Sequence, residues 1–564
     1  MSVATVKYGG GDFLIQCQIF DNERVKAFPD RKFNSNTKIW HAPFNAPNAQ
    51  YIRDNYKFPE EINEEALEMV NQALAEIEVS KTLRFPEDHP FLNPPRPYQM
   101  DALNKSYGMR EFGYFMEMRT GKTFVDINIA AAYYLKGEIN AYLIVLFPGA
   151  IKSTWKIQLE EHCPVLYEVH LLQAGQKKQT QAFIDKDTDA LKVMVVGIES
   201  LSNGAGGDLI TDFVQKHKTK FTIDESTCIK NPKQQVSKSK KRTRVKLCWD
   251  VGGLAEYRTI MTGTPTTQGV EDLYSQFRFL NWQILGYKSY FTFKNAHCIA
   301  GGFQGKKIIG YRDVDKVIRK INPYVYQIST KDAIGIPEEV WEPIYVEQSL
   351  VQKRLLKELG DPYDMSTSMG DEELEVETIL ERMTRYQQIV GGHFPFKEEE
   401  GYDTMPIEGP NPKMDALLGF IETIPKDQKV IIWARFVPEL EAIAKALPDS
   451  ILYKGGMSDD EREWAQREFM QDNGPRFWVA SQQASARGVE LAAASVHIFY
   501  SNSFSYDDRK QATMRTNSSK QKSKSILYVD IIMNHKIDKQ IVDALRYKQD
   551  IAEYVISEIK KGQV

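Results

Sequence analysis

Short apolar runs alternate with stretches of helical periodicity over two long parts of the chain. Between residues 98 and 282 the runs include YLIVLF at 142–147 and LKVMVVGI at 191–198, separated by segments long enough for helices. From 411 onward the alternation returns, beginning with KVIIWARF at 429–436. Continuous apolar strands separated by helices are typical of parallel sheets that are covered on both faces. The pattern therefore predicts two α/β units.

The rest of the chain has other patterns. FLIQCQIF at 13–20 and KFNSNTKIWHAPFN at 32–45 predict strands joined by polar turns, and residues 60–79 repeat apolar positions at helical spacing. We therefore predict an α/β protein in four parts: a small α+β module at 1–90, a first parallel-sheet lobe at 91–282, a helical insertion and linker at 283–410, and a second parallel-sheet lobe at 411–564.

Composition narrows the class of protein. The 564 residues are 42% hydrophobic and 26% charged, which is ordinary for a globular protein. The 72 Lys and Arg residues nearly balance the 76 Asp and Glu residues. This balance excludes a globally basic nucleic-acid coat, but it allows a nucleic-acid binder that has a local basic surface.

The cysteines and the apolar runs indicate a compartment. The five cysteines form no C-x-x-C pair, which argues against a structural zinc site and a disulfide framework. The N-terminus lacks the segments of a signal peptide, and no apolar run reaches the ~18 residues of a membrane span. We expect a cytoplasmic monomer with no membrane partner, in the host cytoplasm if the source is a virus and in the nucleus if it is a eukaryote.

The segment EMRTGKT at 117–123 stands between an apolar run and a helical pattern. A glycine at such a turn lets backbone N–H groups approach a phosphate, and the helix N-terminus adds a positive dipole. Lys122 would reach the β- and γ-phosphates, and Thr123 would hold magnesium. The strict phosphate-loop pattern fails because Met116 stands where its first glycine belongs. A GKT triplet alone is more often a surface turn.

A second candidate segment, FTIDEST at 221–227, is acidic. Its β-branched run ends in Asp224 and Glu225, which places two carboxylates at the carboxyl end of a strand, where parallel sheets bind ligands. Asp224 would hold magnesium through water, and Glu225 would polarise the attacking water. The alternative is a helix cap, and the presence of the GKT segment weakens it.

Four segments occur in a fixed order: RPYQMDAL at 96–103, EMRTGKT, DESTCIKN at 224–231 and MTGTP at 261–265. The order resembles the motifs of helicase superfamily 2, and the details resemble its SWI/SNF-like branch. This resemblance implies two RecA-like lobes that use ATP and Mg²⁺. It implies catalytic roles for Lys122, Asp224 and Glu225, a magnesium site at Thr123 and Asp224, and ATP contacts by Arg96, Gln99, Met118, Arg119, Thr120, Gly121, Lys122 and Thr123.

The second half of the chain resembles the same branch. SQQASARGVELAAA at 481–494 is similar to the family's fifth motif. The resemblance implies that Arg487, Gly488 and Glu490 lie near the nucleotide.

The family's sixth motif is altered in this sequence. QATMRTNSSKQ at 511–521 matches at Arg515, for which the resemblance implies a catalytic role, but Ser518 replaces the second arginine and Lys520 replaces the glycine. That second arginine acts in the family as an arginine finger, a group whose loss costs about 10³–10⁵ in rate. Three interpretations remain open: a weakened ATPase, substitution by Lys520 or Arg515, and an engineered change. We favour altered or engineered chemistry.

The N-terminal module has its own resemblance. FNSNTKIWHAP at 33–43 is similar to the substrate-recognition module of annealing helicases (HARP-like proteins), which act on forked DNA. Residues 293–317 are similar to the same subgroup. The resemblance implies that Trp40 contacts DNA. The alternative is a two-stranded turn with Trp40 packed in a core.

A basic run lies directly after the acidic segment. KNPKQQVSKSKKRTRVK at 230–246 contains eight basic residues and no acidic ones. A run of this kind is most often a solvated face, but its position favours contacts with DNA phosphates, which give affinity that does not depend on sequence. The residues that we expect to make these contacts are Lys230, Lys233, Lys238, Lys240, Lys241, Arg242 and Arg244.

Together these features predict an ATP-dependent translocase on double-stranded or forked DNA. Its tasks would be branch migration, fork regression or strand annealing in replication, recombination or repair. One alternative is a nucleotide-gated DNA clamp whose ATPase activity is weak because of Ser518. Another is an ATPase like those of chromatin remodellers, and the lack of chromatin-reading extensions counts against it.

Overall fold

The structure is a computed structural model that forms two units, residues 1–333 with 551–564 and residues 334–550. The residues that it describes are 5–17, 25, 28, 31–44, 46–56, 60–147, 152–202, 204–232, 243–301, 307–335, 337–359, 383–398, 401–485, 489–518 and 520–561.

The N-terminal part of the first unit is a small antiparallel sheet with two helices. Its strands have the order β1-β2-β4-β3, and the turn between β1 and β2 contains Gly10 and Gly11, both with positive φ. The strands are β1 Thr5–Gly9, β2 Asp12–Gln16, β3 Lys32–Asn34 and β4 Ile39–Pro43, and the helices are Ala46–Asn55 and Glu64–Thr82.

A seven-stranded parallel sheet forms the larger part of the first unit, in the order β13-β5-β10-β9-β6-β8-β7. Strands β5, β6 and β8 are buried along their whole length, as their continuous apolar runs predict. The strands are β5 Glu111–Met116, β6 Ala141–Leu146, β7 Tyr167–Leu171, β8 Leu191–Gly197, β9 Thr219–Asp224, β10 Tyr257–Met261 and β13 Val325–Ile328.

Helices and one hairpin complete the first unit. The hairpin consists of β11 Cys298–Gly301 and β12 Lys307–Tyr311. The helices are Pro97–Ser106, Lys122–Leu135, Lys152–His162, Lys177–Asp185, Gly204–Lys216, Arg244–Gly252, Asp272–Leu285, Tyr290–His297 and Val314–Ile321, and Thr330–Ile334 lies at the unit boundary.

The second unit contains a six-stranded parallel sheet in the order β14-β21-β20-β17-β19-β18. The large side chains of Trp433 and Trp478 are fully buried in its core. The strands are β14 Glu338–Val346, β17 Lys429–Trp433, β18 Ser450–Tyr453, β19 Phe477–Ala480, β20 Ala494–Phe499 and β21 Ser525–Met533, with a separate hairpin of β15 His393–Glu398 and β16 Gly401–Pro406. The helices are Leu350–Glu358, Pro412–Thr423, Val437–Ala446, Asp459–Met470, Gln482–Ser485, Tyr506–Thr513 and Lys536–Lys561, the last of which ends in the first unit.

The predicted fold class, two parallel-sheet lobes and a small α+β module, is confirmed. The region 283–410, predicted as an insertion and linker, contributes β13 to the sheet of the first unit and β14 to the sheet of the second. No helix among the described residues combines the length and apolarity needed to cross a bilayer.

Candidate nucleotide site

The GKT segment forms a loop between a buried strand and a helix. The loop follows β5 and ends at Gly121, and the last two residues of the segment, Lys122 and Thr123, begin the helix Lys122–Leu135. Two residues of the loop, Arg119 and Gly121, have positive φ, at 64° and 84°. Glycine adopts such a backbone without strain, and the turn leaves the first N–H groups of the helix without partners inside the helix. The loop therefore has the geometry of a phosphate cradle.

Gln99 connects the loop to Arg96, the first residue of the RPYQMDAL segment. The backbone N–H of Arg96 donates to Gln99 Oε1 at 2.9 Å, and Gln99 Nε2 donates to the carbonyl oxygen of Thr120 at 3.2 Å. A Cβ atom on Gly121 would overlap the Gln99 amide. Gly121 is thus required both by its backbone angle and by this close approach, and the ATP contact implied for Gln99 stays a prediction.

Two residues that the sequence did not single out hold the other side of the loop. The Thr330 backbone N–H donates to Glu117 Oε2 at 2.9 Å, and Thr330 Oγ1 donates to the Met118 carbonyl oxygen at 3.0 Å. Thr120 Oγ1 donates to the Glu117 carbonyl oxygen at 2.7 Å. Glu117 and Thr330 are far apart in sequence, so only the pairing of β13 with β5 brings them together.

The acidic pair lies at the carboxyl end of β9. Trp155 Nε1 donates to Asp224 Oδ2 at 3.0 Å, and the backbone N–H of Glu225 donates to Asp224 Oδ1 at 3.1 Å. Burial raises the pKa of the Asp224 carboxyl, and the Lys122 cation and the Trp155 hydrogen bond oppose that rise. Asp224 is therefore held in one orientation by two donors.

Glu225 faces the phosphate loop. Its backbone is left-handed, with φ of 51°, which is strained for a residue with a Cβ and is typical of functional positions. Lys122 Nζ lies 4.0 Å from Glu225 Oε1, and Thr262 Oγ1 donates to Glu225 Oε2 at 3.3 Å. Because β10 lies between β5 and β9, the three motif segments meet at one edge of the sheet.

The donor set fits a nucleotide with magnesium. Thr123 and Asp224 offer the hard oxygen ligands that Mg²⁺ prefers, and nucleotide phosphates commonly supply the rest. Among the described residues no group of three or more His, Cys, Asp or Glu side chains could hold a metal ion, so a cage built only from protein side chains is not present there.

The second unit contains the residues predicted from the fifth and sixth motifs. Arg515 is 3% exposed, and its Nη1 donates to the Val489 carbonyl oxygen at 3.3 Å. Lys520 Nζ lies 2.8 Å from Glu490 Oε2 and forms an ion pair with it, while the predicted Arg487 and Gly488 lie outside the described residues. The roles of these side chains toward ATP stay predictions.

Only part of the predicted DNA-binding set lies within the described residues. Lys230 Nζ donates to Thr267 Oγ1, and Arg244 begins a helix that is capped by Thr243. Five predicted residues fall outside: Lys233, Lys238, Lys240, Lys241 and Arg242.

Trp40 lies on β4 of the small N-terminal sheet. Its ring centroid is 4.9 Å from that of Phe33, and the Arg31 guanidinium lies 5.6 Å from the Trp40 ring centroid. Phe33 is 51% exposed, so this group of side chains reaches the surface. Its contact with DNA stays a prediction.

Comparisons with known proteins agree with this geometry. A model of the SNF2-related domain matches residues 114–392, and a model of the helicase conserved C-terminal domain matches residues 412–520. Together the two matches cover more than half of the chain.

Individual relatives are distant. An uncharacterized ATP-dependent helicase of Mycoplasma pneumoniae is 22% identical over 84% of this chain and 43% of the relative. The ISWI chromatin-remodeling complex ATPase CHR17 of Arabidopsis thaliana is 23% identical over 82% of this chain and 42% of the relative. The chain thus spans less than half the length of both. The solved Sulfolobus solfataricus SWI2/SNF2 ATPase core in complex with dsDNA is similar with a TM-score of 0.38 and 19% identity, over 86% of this chain and 97% of that one.

Proposed function

The chain belongs to the SNF2-related branch of helicase superfamily 2, and from that premise we propose that it is an ATP-dependent translocase on double-stranded DNA. One observation supports the ATPase part above all others. Lys122 of the phosphate loop and Glu225 of the acidic pair, which are distant in sequence, lie 4.0 Å apart at the same edge of the first parallel sheet. This is where open parallel sheets bind nucleotides.

Each residue of this site would have a separate role in phosphoryl transfer. The loop at Gly121 and the helix N-terminus would bind the phosphates, and Lys122 would neutralise charge on the γ-phosphate. Glu225, oriented by Thr262, would accept a proton from the attacking water. Thr123 and Asp224 would hold Mg²⁺, which when bound neutralises phosphate charge.

The DNA substrate is the finer part of the proposal. The aromatic pair of exposed Phe33 and half-buried Trp40, with Arg31 beside it, suits stacking on unpaired bases at a fork. We therefore propose forked or branched DNA as substrate, with branch migration, fork regression or strand annealing as the task. The family favours a motor over a nucleotide-gated clamp. A remodeller-like role would appear as stimulation by nucleosomes above that by free duplex.

The test of the proposed function is ATP turnover with no DNA, single strands, duplex and forks, each at two salt concentrations. A translocase is expected to be stimulated by duplex and most strongly by forks. A chain that turns over ATP equally with and without DNA would not be a DNA motor. Turnover that never exceeds background under any condition would remove the ATPase assignment itself.

The basic run gives a prediction for DNA affinity. Lys240→Ala/Lys241→Ala is expected to weaken binding to duplexes of any sequence, because two phosphate contacts are lost. The slope of log affinity against log salt should become shallower by about 2. Lys177→Ala/Lys178→Ala, which changes an adjacent lysine pair exposed on another helix, is the matched control. If the slope of log affinity against log salt is the same for the two variants, the basic run at 230–246 does not contact DNA phosphates.

The altered sixth motif gives a prediction for the rate. Ser518→Arg is expected to raise kcat at least about 10-fold, because an arginine finger contributes about 10³–10⁵ where one is present. Ser525→Arg, at an exposed serine that begins β21, controls for added charge. If wild type and Ser518→Arg turn over ATP equally, the finger is not missing at this position.

A further inference from the structure

A cluster of four buried polar side chains lies beneath the candidate nucleotide site in the first unit. Lys220 Nζ and Tyr142 OH both donate to the Asp126 carboxylate, and Thr222 Oγ1 donates to Asp126 Oδ2 at 2.8 Å. Lys220 Nζ also donates to Thr222 Oγ1 at 2.7 Å. All four residues, here called the Asp126 cluster, are at most 1% exposed.

The cluster joins the two elements that carry the candidate site. Asp126 lies four residues after Lys122 in the same helix, which places both on one helix face. Thr222 lies two residues before Asp224 in β9, on the same face of the strand. A bond from Asp126 to Thr222 therefore ties the helix that begins with Lys122 to the strand that ends with the acidic pair.

A second connection runs through Tyr142 to Asp224. The Tyr142 ring packs edge-on against Trp155, with centroids 6.4 Å apart, and the Trp155 indole donates to Asp224. The cluster thus supports both Lys122, through its helix, and Asp224, through Trp155.

Stability alone does not account for such a cluster. Burying an ion pair costs desolvation energy, and apolar residues of similar volume often stabilise a core as well or better. Directional bonds have another effect, because they permit only one sliding and rotational position of the helix on the strand. Apolar packing tolerates small shifts, and a shift near 1 Å at a reacting centre can cost about 10²-fold in rate.

We propose that the Asp126 cluster is a positioning device that fixes Lys122 and the acidic pair at their working separation. The inference rests on the proposed ATPase function. The contacts that connect the four side chains to the candidate site run through the helix that begins at Lys122, through Trp155 and through β9, so the four are positioning residues.

The test replaces the cluster's ion pair by apolar residues. Asp126→Leu/Lys220→Met removes both charges and is expected to remain folded, with an unfolding midpoint near that of wild type. Its kcat is expected to fall about 10-fold or more, with KM for ATP within about twofold of wild type, because the phosphate loop is intact while the reacting groups are displaced. A folded double variant with wild-type kcat would overturn the proposal. It would show that the ion pair contributes only to stability, which apolar side chains of similar volume can supply as well.

Two further variants keep the test decisive if the double variant does not fold. Tyr142→Phe removes one hydrogen bond to Asp126, and Thr222→Val removes one to Asp126 and one from Lys220. Both keep the Asp126–Lys220 ion pair, and each is expected to lower kcat about threefold or more at unchanged KM. Wild-type kcat in both would also overturn the proposal.

The matched control is a buried lysine of the same sheet. Lys192 on β8 donates to the Ile184 carbonyl oxygen at 2.8 Å, at the amino end of the strand. Lys192→Met is expected to leave kcat unchanged, and a fall equal to that of the double variant would assign the effect to general loosening of the sheet.

The turnover of the wild-type chain separates failure of the proposed ATPase function from failure of the positioning role. An inactive wild type ends the proposed function, whereas an active wild type with an equally active double variant ends only the positioning role.

Discussion

Glu225→Gln is expected to lower kcat for ATP hydrolysis by about 10²–10⁴-fold, the usual contribution of a positioned general base. The amide keeps the size of the side chain and can still accept from Thr262 Oγ1, but it cannot take a proton from water. Lys122 and the loop that would bind the phosphates are unchanged. We therefore expect the affinity for a fluorescent ATP analogue to stay within a few fold of wild type.

The matched control is Glu199→Gln. Glu199 also follows a strand of the same sheet, β8, and is exposed, but it belongs to neither the phosphate loop nor the acidic pair. Its replacement is expected to leave kcat unchanged. If Glu225→Gln kept more than a tenth of wild-type turnover, Glu225 would not be the base, and Asp224 would be the next group to test.

The sequence predicted most central strands of the parallel sheets, because burial on both faces makes them continuous apolar runs, whereas the edge strands β7 and β13 of the first sheet were not predicted. Strand β14 was not predicted either, because it is not buried on both faces and therefore has no continuous apolar run. Its segment EEVWEPIYV carries acids and Pro343, and most of it is exposed because it is the edge strand of its sheet. Proline is tolerated there because an edge strand leaves alternate N–H groups unpaired. Nothing in the local pattern distinguishes such a strand from a loop.

The candidate site could be predicted in part. The GKT segment and the acidic pair are short continuous patterns whose chemistry follows from their residue types. The supports could not be predicted, because the bonds from Gln99 to Thr120 and from Thr330 to Met118 depend on strand order and loop geometry. The same holds for Asp126, which within its helix is only a polar residue in an apolar stretch. Its hydrogen-bond partners lie on two strands, β6 and β9.

A buried carboxyl in the second unit carries the other large expected effect. Glu439 is 1% exposed; its Oε2 accepts from the backbone N–H groups of Arg435 and Phe436, each at 3.2 Å, and from Ser501 Oγ. Its Oε1 has no hydrogen-bond partner among the residues that the structure describes. Burial raises the pKa of Glu439 to about 7, although these hydrogen bonds oppose the rise.

The direction of the pH effect follows from proton binding. Unfolded Glu439 would lose its proton near pH 4.3, whereas the folded chain holds it until about pH 7. Between these values the folded state binds more protons, so the free energy of unfolding falls as pH rises and levels off above pH 7. The loss for this one group is at most about 4 kcal/mol, since the two pKa values differ by nearly three units and one unit is worth about 1.4 kcal/mol.

Glu439→Gln removes this titrating group and is expected to make the free energy of unfolding depend less on pH. The difference in free energy of unfolding, variant minus wild type, should rise by up to about 4 kcal/mol between pH 4 and pH 8 in urea melts of the full chain. Glu441→Gln is the control, because Glu441 lies on the same helix with its side chain 52% exposed beside Lys454. If the difference for Glu439→Gln stays constant across this range, the buried carboxyl does not hold its proton, and the packing around Oε1 must admit water or a cation that stabilises the charge.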